Sequence, residues 1–189
     1  AVLGQITDLI LEDELDPLLE IGPGLGALTY RLLEAGRRVF AVEIDPALCE
    51  ILSSELKPDR FALLRDDART VLERLARGEA VDFDGRPLSS PPLVCGNLPY
   101  YISTDLLTGV AAIPGLRRGV FLTQKEFAVR IAAERSDSSL GVFLGNYGSW
   151  RIAAQAPAGA FYPRPGVASS VLEFRARDGG PVCDPDILE

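Results

Sequence analysis

The sequence predicts a doubly wound α/β fold: a Rossmann-like, mostly parallel sheet with an antiparallel strand pair at its C-terminal end. Short apolar runs alternate with longer amphipathic stretches, which is typical of repeated strand–helix units. The chain has 189 residues, of which 47% are hydrophobic and 24% charged, and this suits one globular domain with a full core. Three glycines follow the first apolar run, as expected where a strand turns into a helix beside a ligand.

Strands and helices are predicted to alternate through the first 134 residues. The apolar runs predict parallel strands at Leu18–Ile21, Arg38–Val42, Phe61–Leu64, Leu93–Cys95 and Gly119–Leu122. The amphipathic stretches predict helices near 26–35, 46–56, 69–77, 103–112 and 125–134. Glycine, proline and serine gather at 78–92, which predicts a loop there.

The pattern changes after the last parallel strand. An apolar stretch, Leu140–Tyr147, precedes two β-rich runs, Trp150–Ala156 and Val167–Arg175, with a proline-rich loop between them. These runs indicate an antiparallel pair that closes one side of the sheet, with the side chain of Trp150 in the core. Residues 178–189 are rich in glycine and proline and are expected to form a linker or tail.

Composition excludes several kinds of chemistry. Histidine is absent, which removes Ser-His-Asp and Cys-His triads and zinc held by imidazole. Cys49, Cys95 and Cys183 are odd in number and widely spaced, so we expect no disulfide framework, no metal site and a reducing, cytosolic compartment. No run of 18 apolar residues occurs, and Ala1–Leu11 lacks the charged start of a secretory signal, so no membrane partner is expected.

The distribution of charge matters more than its total. The formal net charge of −8 argues against a polyanionic partner, and residues 1–60 carry five basic and twelve acidic side chains. Residues 117–135 and 151–177 are instead mainly basic, which predicts a nucleic-acid face built from these two segments. Their basic residues are Arg117, Arg118, Lys125, Arg130, Arg135, Arg151, Arg164, Arg175 and Arg177. For the Lys125, Arg130 and Arg135 helix face, an ordinary solvated surface is an equal alternative.

The stretch from Glu20 to Gly26 predicts a nucleoside pocket. Its glycines would let the backbone approach a ligand that a Cβ would obstruct. One strand later Glu43 stands at a strand end, where its carboxylate can accept hydrogen bonds from two ribose hydroxyls. The alternatives are a tight turn without a ligand and an exposed strand-end carboxylate. The cofactor-binding candidates here are Glu20, Gly22, Gly24, Gly26, Glu43 and Ile44.

Two cofactors fit such a pocket. Gly22, Gly24 and Ala27 satisfy a loose G-x-G-x-x-[GA] pattern, so NAD is one possibility. S-adenosylmethionine would need a further acid near its adenine, and the two aspartates after the third strand supply it. Asp67 is the better candidate of the two and is followed by Ala68. The alternative role for Asp67 is to cap the next helix.

The fourth strand is followed by Asn97-Leu98-Pro99-Tyr100, which predicts chemistry on an amino group. Adenine N6 is a poor nucleophile because its lone pair is delocalised into the ring. The Asn97 side-chain oxygen and the Leu98 carbonyl, exposed where Pro99 turns the backbone, could accept the amino hydrogens and localise that pair. Tyr100 could stack on the flipped base, which cannot react inside a base stack. The alternative is a simple strand-terminating turn.

With these motifs the chain resembles the ribosomal RNA adenine N6-methyltransferases, in particular the small-subunit rRNA adenine dimethyltransferases. The erythromycin-resistance large-subunit methyltransferases are similar too. The resemblance runs from about Leu3 to Arg177 and is carried by Glu20–Gly26, Asn97–Thr104, Gln124–Glu126 and Phe161–Ser170. Leu98, where isoleucine would be the alternative, favours the small-subunit enzymes.

The resemblance implies a class I methyltransferase domain over residues 1–177, acting as a monomer. It would transfer methyl groups from S-adenosylmethionine to N6 of adenosines in ribosomal RNA of a small subunit or its precursor. The residues implied to contact the cofactor are Gly22, Glu43, Asp67 and Asn97, and those implied to handle the target adenine are Asn97, Tyr100 and Phe161. A core aromatic is the alternative for Phe161.

The sequence departs from the family pattern in three places. Family members usually begin with a basic arm and a Gln-Asn-Phe-Leu segment, and they continue into a helical, basic C-terminal domain. The sequence printed here starts without Met and holds neither, so we expect a processed or partial version of a longer protein. Gly166-Val167-Ala168-Ser169 replaces the more usual Lys-Val-Asp/Asn-Ser and removes one positive charge.

Two rival functions come from other classes of protein. An NAD oxidoreductase would need a proton donor at its hydride site, and none is evident in the sequence. A non-catalytic ribosome-assembly factor could keep the fold to bind RNA, but it would not need the intact Asn97–Tyr100 tetrad.

Overall fold

A computed structural model describes residues 2–133, 138–156 and 168–184, with the backbone alone at Tyr100. Its strands are β1 (Leu18–Ile21), β2 (Val39–Glu43), β3 (Phe61–Arg65), β4 (Val81–Phe83), β5 (Arg86–Leu88), β6 (Leu93–Asn97), β7 (Arg118–Gln124), β8 (Gly148–Ala156) and β9 (Ser169–Ala176). Its helices are α1 (Val2–Leu11), α2 (Ala27–Glu34), α3 (Pro46–Glu55), α4 (Ala68–Ala76), α5 (Ser103–Ala111), α6 (Lys125–Ala132) and α7 (Ser139–Tyr147).

Seven of these strands form one sheet in the order β3-β2-β1-β6-β7-β9-β8. Five neighbouring strands of this sheet, β3, β2, β1, β6 and β7, are parallel to one another. Strand β9 runs antiparallel to both β7 and β8. The predicted parallel sheet and its antiparallel terminal pair are therefore confirmed. All five parallel strands end at the same edge of the sheet, which we call the site edge.

The loop predicted at 78–92 is wrong in part, because it contains the antiparallel hairpin β4–β5. Asp84 and Gly85 join the two strands, and both have positive φ values, 53° and 79°. An Asp-Gly pair with this backbone is the signature of a two-residue hairpin turn. The signal was present in the sequence, but each strand is only three residues long.

Helices cover both faces of the sheet, which explains why the central strands are nearly continuous apolar runs. One buried cluster contains Leu19 and Ile21 and packs against α4, α5, α6 and α7. The other contains Leu18 and packs against α1, α2 and α3. Trp150, predicted in the core, is half-buried and packs against the first of these clusters. Its ring centroid lies 4.6 Å from that of Phe174. Among the described residues no helix is long and apolar enough to cross a membrane.

The predicted nucleic-acid face is wrong at Arg118. This side chain is 1% exposed, and its Nε donates to Oε1 of the buried Glu173 at 2.7 Å. Its guanidinium also pairs at 2.9 Å with two carboxylates from the segment after α1. Arg151 and Arg175 contact the same Glu173 carboxylate. Arg118 and its strand neighbour Arg175 lie at the end of the sheet opposite the site edge.

The beginning of the predicted linker is held against α7. The buried Asn146 side chain donates from Nδ2 to the Cys183 carbonyl at 3.0 Å and accepts from the Cys183 amide at 2.9 Å. The amide of Val182 donates to the Asn146 carbonyl at 3.1 Å. Residues 178–184 therefore follow a defined path, and residues 185–189 lie outside the described part of the chain.

Candidate active site

The site edge brings together the residues that follow β1, β2, β3 and β6, as their parallel strands require. Two cavities there adjoin the glycine loop. The larger has a volume of about 480 Å³ and is lined by Glu20, the glycine loop, Gly96 and Asn97. The smaller, of about 110 Å³, is lined by Glu43, Asp67, Ala68 and Pro99 among others. Gly22 lines both cavities and lies between them.

The three glycines of the loop have different physical roles. Gly22 and Gly24 both have φ of 60°, and Gly26 has φ of 81°, a backbone region that side chains with a Cβ rarely adopt. A Cβ at Gly26 would also lie 2.9 Å from Leu52 Cδ2, so another residue type there would require this buried side chain to shift. A Cβ at Gly24 would meet nothing within 4 Å, which leaves its surface open to a ligand.

Glu43 holds the glycine loop in place. Its carboxylate is 7% exposed and accepts three backbone N–H groups, from Gly24 at 3.2 Å, Ile44 at 2.9 Å and Asp45 at 3.0 Å. A carboxylate offers about four acceptor positions, so one remains for a ligand hydroxyl. The side chain of Ile44 is 65% exposed beside it.

Glu20 lines the larger cavity and is 2% exposed. Its Oε2 accepts a hydrogen bond of 2.7 Å from the Thr29 hydroxyl on α2. Burial raises the pKa of Glu20 from 4.5 to about 7, with a further upward contribution from the charge of Glu43 and an opposing one from Thr29. A carboxyl with such a pKa changes charge in the physiological range. The sequence indicated Glu20 as a candidate, but not this property.

Asp67 takes the capping role that the sequence offered as its alternative, and it also lines the smaller cavity. Its Oδ1 accepts from the Arg69 amide at 2.9 Å, and its Oδ2 pairs with the Arg69 guanidinium at 2.6 Å. The side-chain hydrogen bonds from Arg69 hold the pKa of Asp67 below its usual value. Arg69 lines the same cavity and was not anticipated from the sequence.

Asn97 ends β6 with its side chain exposed on the wall of the larger cavity. The next residue, Leu98, is anchored by a hydrogen bond of 2.9 Å from its amide to the Leu122 carbonyl, and its side chain is buried. The Pro99 carbonyl accepts hydrogen bonds from the Ile102 amide and from the hydroxyl of Ser103. Ser103 is the first residue of α5, three residues after the tetrad ends. The side chain of Tyr100 and the whole of Phe161 lie outside the described part.

Two features of this site were missed in the sequence. Gly96 must be glycine because a Cβ there would collide with the Ile21 carbonyl. Only a glycine at this position allows β6 to approach β1 so closely. This close approach brings Asn97 beside the glycine loop. Helix α1 forms one wall of the larger cavity through Val2, Leu3 and Ile6. The apolar spacing of these three residues indicates a buried helix face, but it does not say where that face packs.

Lys125 and Arg130 lie on α6, which starts at the site edge, and both side chains are exposed. The amide of Lys125 donates to the Ala168 carbonyl at 3.0 Å, and the Arg130 guanidinium lies 5.2 Å from the Phe127 ring centroid. The third member of the predicted basic face, Arg135, lies outside the described residues, as does Arg164.

A parallel sheet of this strand order, closed by one antiparallel pair and carrying a glycine loop before an acid on β2, defines a class I S-adenosylmethionine-dependent methyltransferase fold. The family model for ribosomal RNA adenine dimethylase matches residues 1–189. The chain therefore belongs to the ribosomal RNA adenine dimethylase family, which confirms the resemblance and the fold class predicted from the sequence.

Curated relatives share the name Ribosomal RNA small subunit methyltransferase A. One from Anaeromyxobacter dehalogenans is 38% identical over 180 residues, covering 91% of this chain and 62% of the relative. Another from Deinococcus radiodurans is 37% identical over 172 residues, covering 89% of this chain and 54% of the relative. The chain thus spans little more than half the length of these relatives.

Solved structures give the same fold. The 23S rRNA methyltransferase ErmE superposes with a TM-score of 0.73 at 25% identity, over 99% of this chain and 71% of that one. A dimethyladenosine transferase from Plasmodium falciparum superposes with a TM-score of 0.67 at 21% identity, over 94% of this chain and 61% of that one.

Proposed function

We propose that the chain transfers methyl groups from S-adenosylmethionine to N6 of adenosines in small-subunit ribosomal RNA or its precursor, dimethylating adjacent adenosines in the cytoplasm during ribosome biogenesis. The observation that carries this proposal is the exposed residue Asn97 on the wall of a cavity that the glycine loop also lines. A hydrogen-bond acceptor for an amino group thereby adjoins a pocket suited to a methyl donor. The shared name of the curated relatives supports the choice of RNA.

The residues present fit S-adenosylmethionine. Glu43 keeps one acceptor position for a ribose hydroxyl, and Asp67 with Ala68 borders the small cavity where an adenine would lie. The open surface of Gly24 and the buried Glu20 carboxyl adjoin the space left for the amino-acid end. When bound, the cofactor supplies an electrophilic methyl group on a sulfonium.

The tetrad would prepare the nucleophile. The Asn97 side-chain oxygen and the Leu98 carbonyl would accept the N6 hydrogens, two in the first transfer and one in the second, and would so localise the nitrogen lone pair. By the family resemblance, Tyr100 would stack on the flipped adenine and Phe161 would also handle it. Because the amine becomes acidic once methylated, its proton passes to solvent, so the protein contributes proximity and polarisation and needs no strong base.

A large-subunit rRNA substrate is the second candidate, since ErmE has a similar structure over nearly the whole chain. Both candidates use the same chemistry and differ in the RNA that is recognised. The sequence feature in favour of the small subunit is Leu98.

The test supplies labelled S-adenosylmethionine with unmethylated small subunits in one reaction and with naked large-subunit RNA in another. Nucleoside analysis should find N6-methylated and N6,N6-dimethylated adenosine from the first reaction. Calorimetry with the cofactor and with NAD should show binding of the former alone, reduced by Glu43→Ala. Methylation of large-subunit RNA alone would select the second candidate, and tighter binding of NAD would overturn the proposal.

A further inference from the structure

We propose that Glu20 holds a proton in the empty site and releases it when the ammonium group at the amino-acid end of the cofactor binds. Ligand binding would then be coupled to the loss of one proton. The inference rests on the proposed function only in its choice of ligand, S-adenosylmethionine or its demethylated product S-adenosylhomocysteine. It gives Glu20 a specificity role: recognition of a positive charge by a group that becomes negative on contact.

The first observation is that two buried carboxyls flank the same glycine loop. Glu20 precedes the loop and is 2% exposed, and Glu43 contacts it at Gly24 and is 7% exposed. Within the described part of the chain, no lysine or arginine forms an ion pair with either carboxyl. Two negative charges buried this close together are unfavourable, so one of the two carboxyls is expected to be protonated.

The hydrogen bonds decide which carboxyl takes the proton. Glu43 accepts three backbone N–H groups, which can donate a hydrogen bond but cannot accept one. Glu20 accepts one bond, from a neutral hydroxyl that can also act as an acceptor if Glu20 is protonated. Burial accordingly raises the pKa of Glu20 to about 7.

In the part of the chain that the structure describes, none of the elements packed around Glu20 brings a cation close to its carboxyl. On β2 the charged neighbour is Glu43, and on β6 the neighbour in register is Cys95, whose thiol is kept neutral because burial, aided by Glu20, raises its pKa. Helix α2 supplies the Thr29 hydroxyl, and α1 faces the cavity with the apolar side chains Val2, Leu3 and Ile6. Positive charge can therefore enter this cavity most readily with a ligand.

The sign of the pH effect follows. An ammonium group near Glu20 lowers its pKa in the complex below about 7, so binding must displace the proton wherever the empty site is protonated. Affinity should fall about tenfold for each pH unit below this value, until the pKa of the complex is reached. Well above it Glu20 is already ionised, and binding should release almost no proton from this group.

The experiment measures S-adenosylhomocysteine binding by calorimetry at about pH 6 and about pH 8, in two buffers of different ionisation enthalpy at each pH. We expect nearly one proton released per ligand at the lower pH and nearly none at the higher. In Glu20→Gln both values should be close to zero, with weaker binding than the wild type at the higher pH. As a control ligand, 5′-methylthioadenosine lacks the ammonium and should release no proton from the wild type.

Thr29→Val gives a second variant with a distinct readout. Removing the bond that lowers the pKa of Glu20 should move the midpoint of proton release to higher pH. If Glu20→Gln fails to fold, Thr29→Val still tests the inference. Absence of S-adenosylhomocysteine binding would count against the proposed function. Binding with no proton release at the lower pH, or equal release with both ligands, would overturn the inference and leave the function standing.

Discussion

Asn97 and Glu20 line the same cavity, yet they would act in different steps. Asn97 is exposed at a strand end and offers an uncharged acceptor, which suits contact with a substrate amino group. Glu20 is buried and can change charge, which suits recognition of a cation. Removing each side chain should therefore affect different measurements.

We expect Asn97→Ala to lower methyl transfer about a hundredfold to a thousandfold and to weaken cofactor binding far less, because the amide's polarising contact is strongest in the transition state. Single-turnover assays and calorimetry measure the two effects separately. Asn146→Ala is the matched control: it removes an amide that holds Cys183 against α7, so it should lower stability without lowering the rate constant. Near-normal turnover in Asn97→Ala would remove Asn97 from the chemistry.

Glu20 also predicts a pH dependence of stability. Its folded-state pKa of about 7 lies above the ordinary 4.5, so its stabilising effect is fully present below about pH 4.5 and is lost as the pH rises through about 7. The shift corresponds to about 3 kcal/mol. Urea unfolding at both ends of this range should show that loss in the wild type relative to Glu20→Gln. Parallel pH profiles for the two proteins would contradict the assignment.

At the scale of elements, the two ends of the sheet have separate tasks. At the site edge, Gly96 allows β6 to approach β1 and brings Asn97 to the glycine loop. At the opposite end, the buried pair Arg118 and Glu173 connects β7 with β9. That pair is expected to affect the stability of the sheet, and it lies away from the cavities beside the glycine loop.

Glu173→Ala should lower the free energy of unfolding by roughly 3 kcal/mol, because it leaves the buried Arg118 guanidinium without its fully buried partner. The control is Glu79→Ala, which removes a half-exposed carboxylate paired with Arg74 and should cost less than about 1 kcal/mol. Urea titrations of the two variants provide the comparison. Equal losses would mean that the two remaining carboxylates suffice for Arg118.

At the scale of the whole molecule, the basic residues divide between the two ends of the sheet. Lys125 and Arg130 are exposed on α6 beside the site edge, whereas Arg117 and Arg177 are exposed at the opposite end. If RNA binds over the cavities, only the first pair can contact its phosphates. The net charge of −8 makes such local positive regions more important for binding.

The double variant Lys125→Glu/Arg130→Glu should bind RNA more weakly than the wild type. It should also reduce the slope of log affinity against log salt concentration by roughly two, about one for each lost phosphate contact. Arg117→Glu with Arg177→Glu changes charge equally and should leave affinity and slope unchanged. Fluorescence anisotropy with a labelled RNA fragment at several salt concentrations measures both pairs. A larger effect of the second pair would move the RNA surface to the opposite end.

Much of the site could be predicted because its signals are local. The turn from Gly22 to Gly26, the acid at Glu43 and the tetrad beginning at Asn97 each occupy a few consecutive residues, and parallel strands bring their ends to one edge. The Asp67 cap was likewise visible as an alternative in the sequence. The short hairpin β4–β5 was missed although its Asp-Gly turn is local, because three-residue strands give too little periodicity to recognise.

By itself the sequence determined the family and the strand–helix alternation and indicated the candidate site residues, since these depend on residue type and short spacing. Tertiary structure alone decided which charged side chains are buried and paired and which can contact a ligand. Arg118 meets Glu173 at a separation of 55 residues and is buried with it, while Glu20 is enclosed between Thr29, Glu43 and α1. Burial and the distance between charges set their energies, and both are properties of how distant segments pack together.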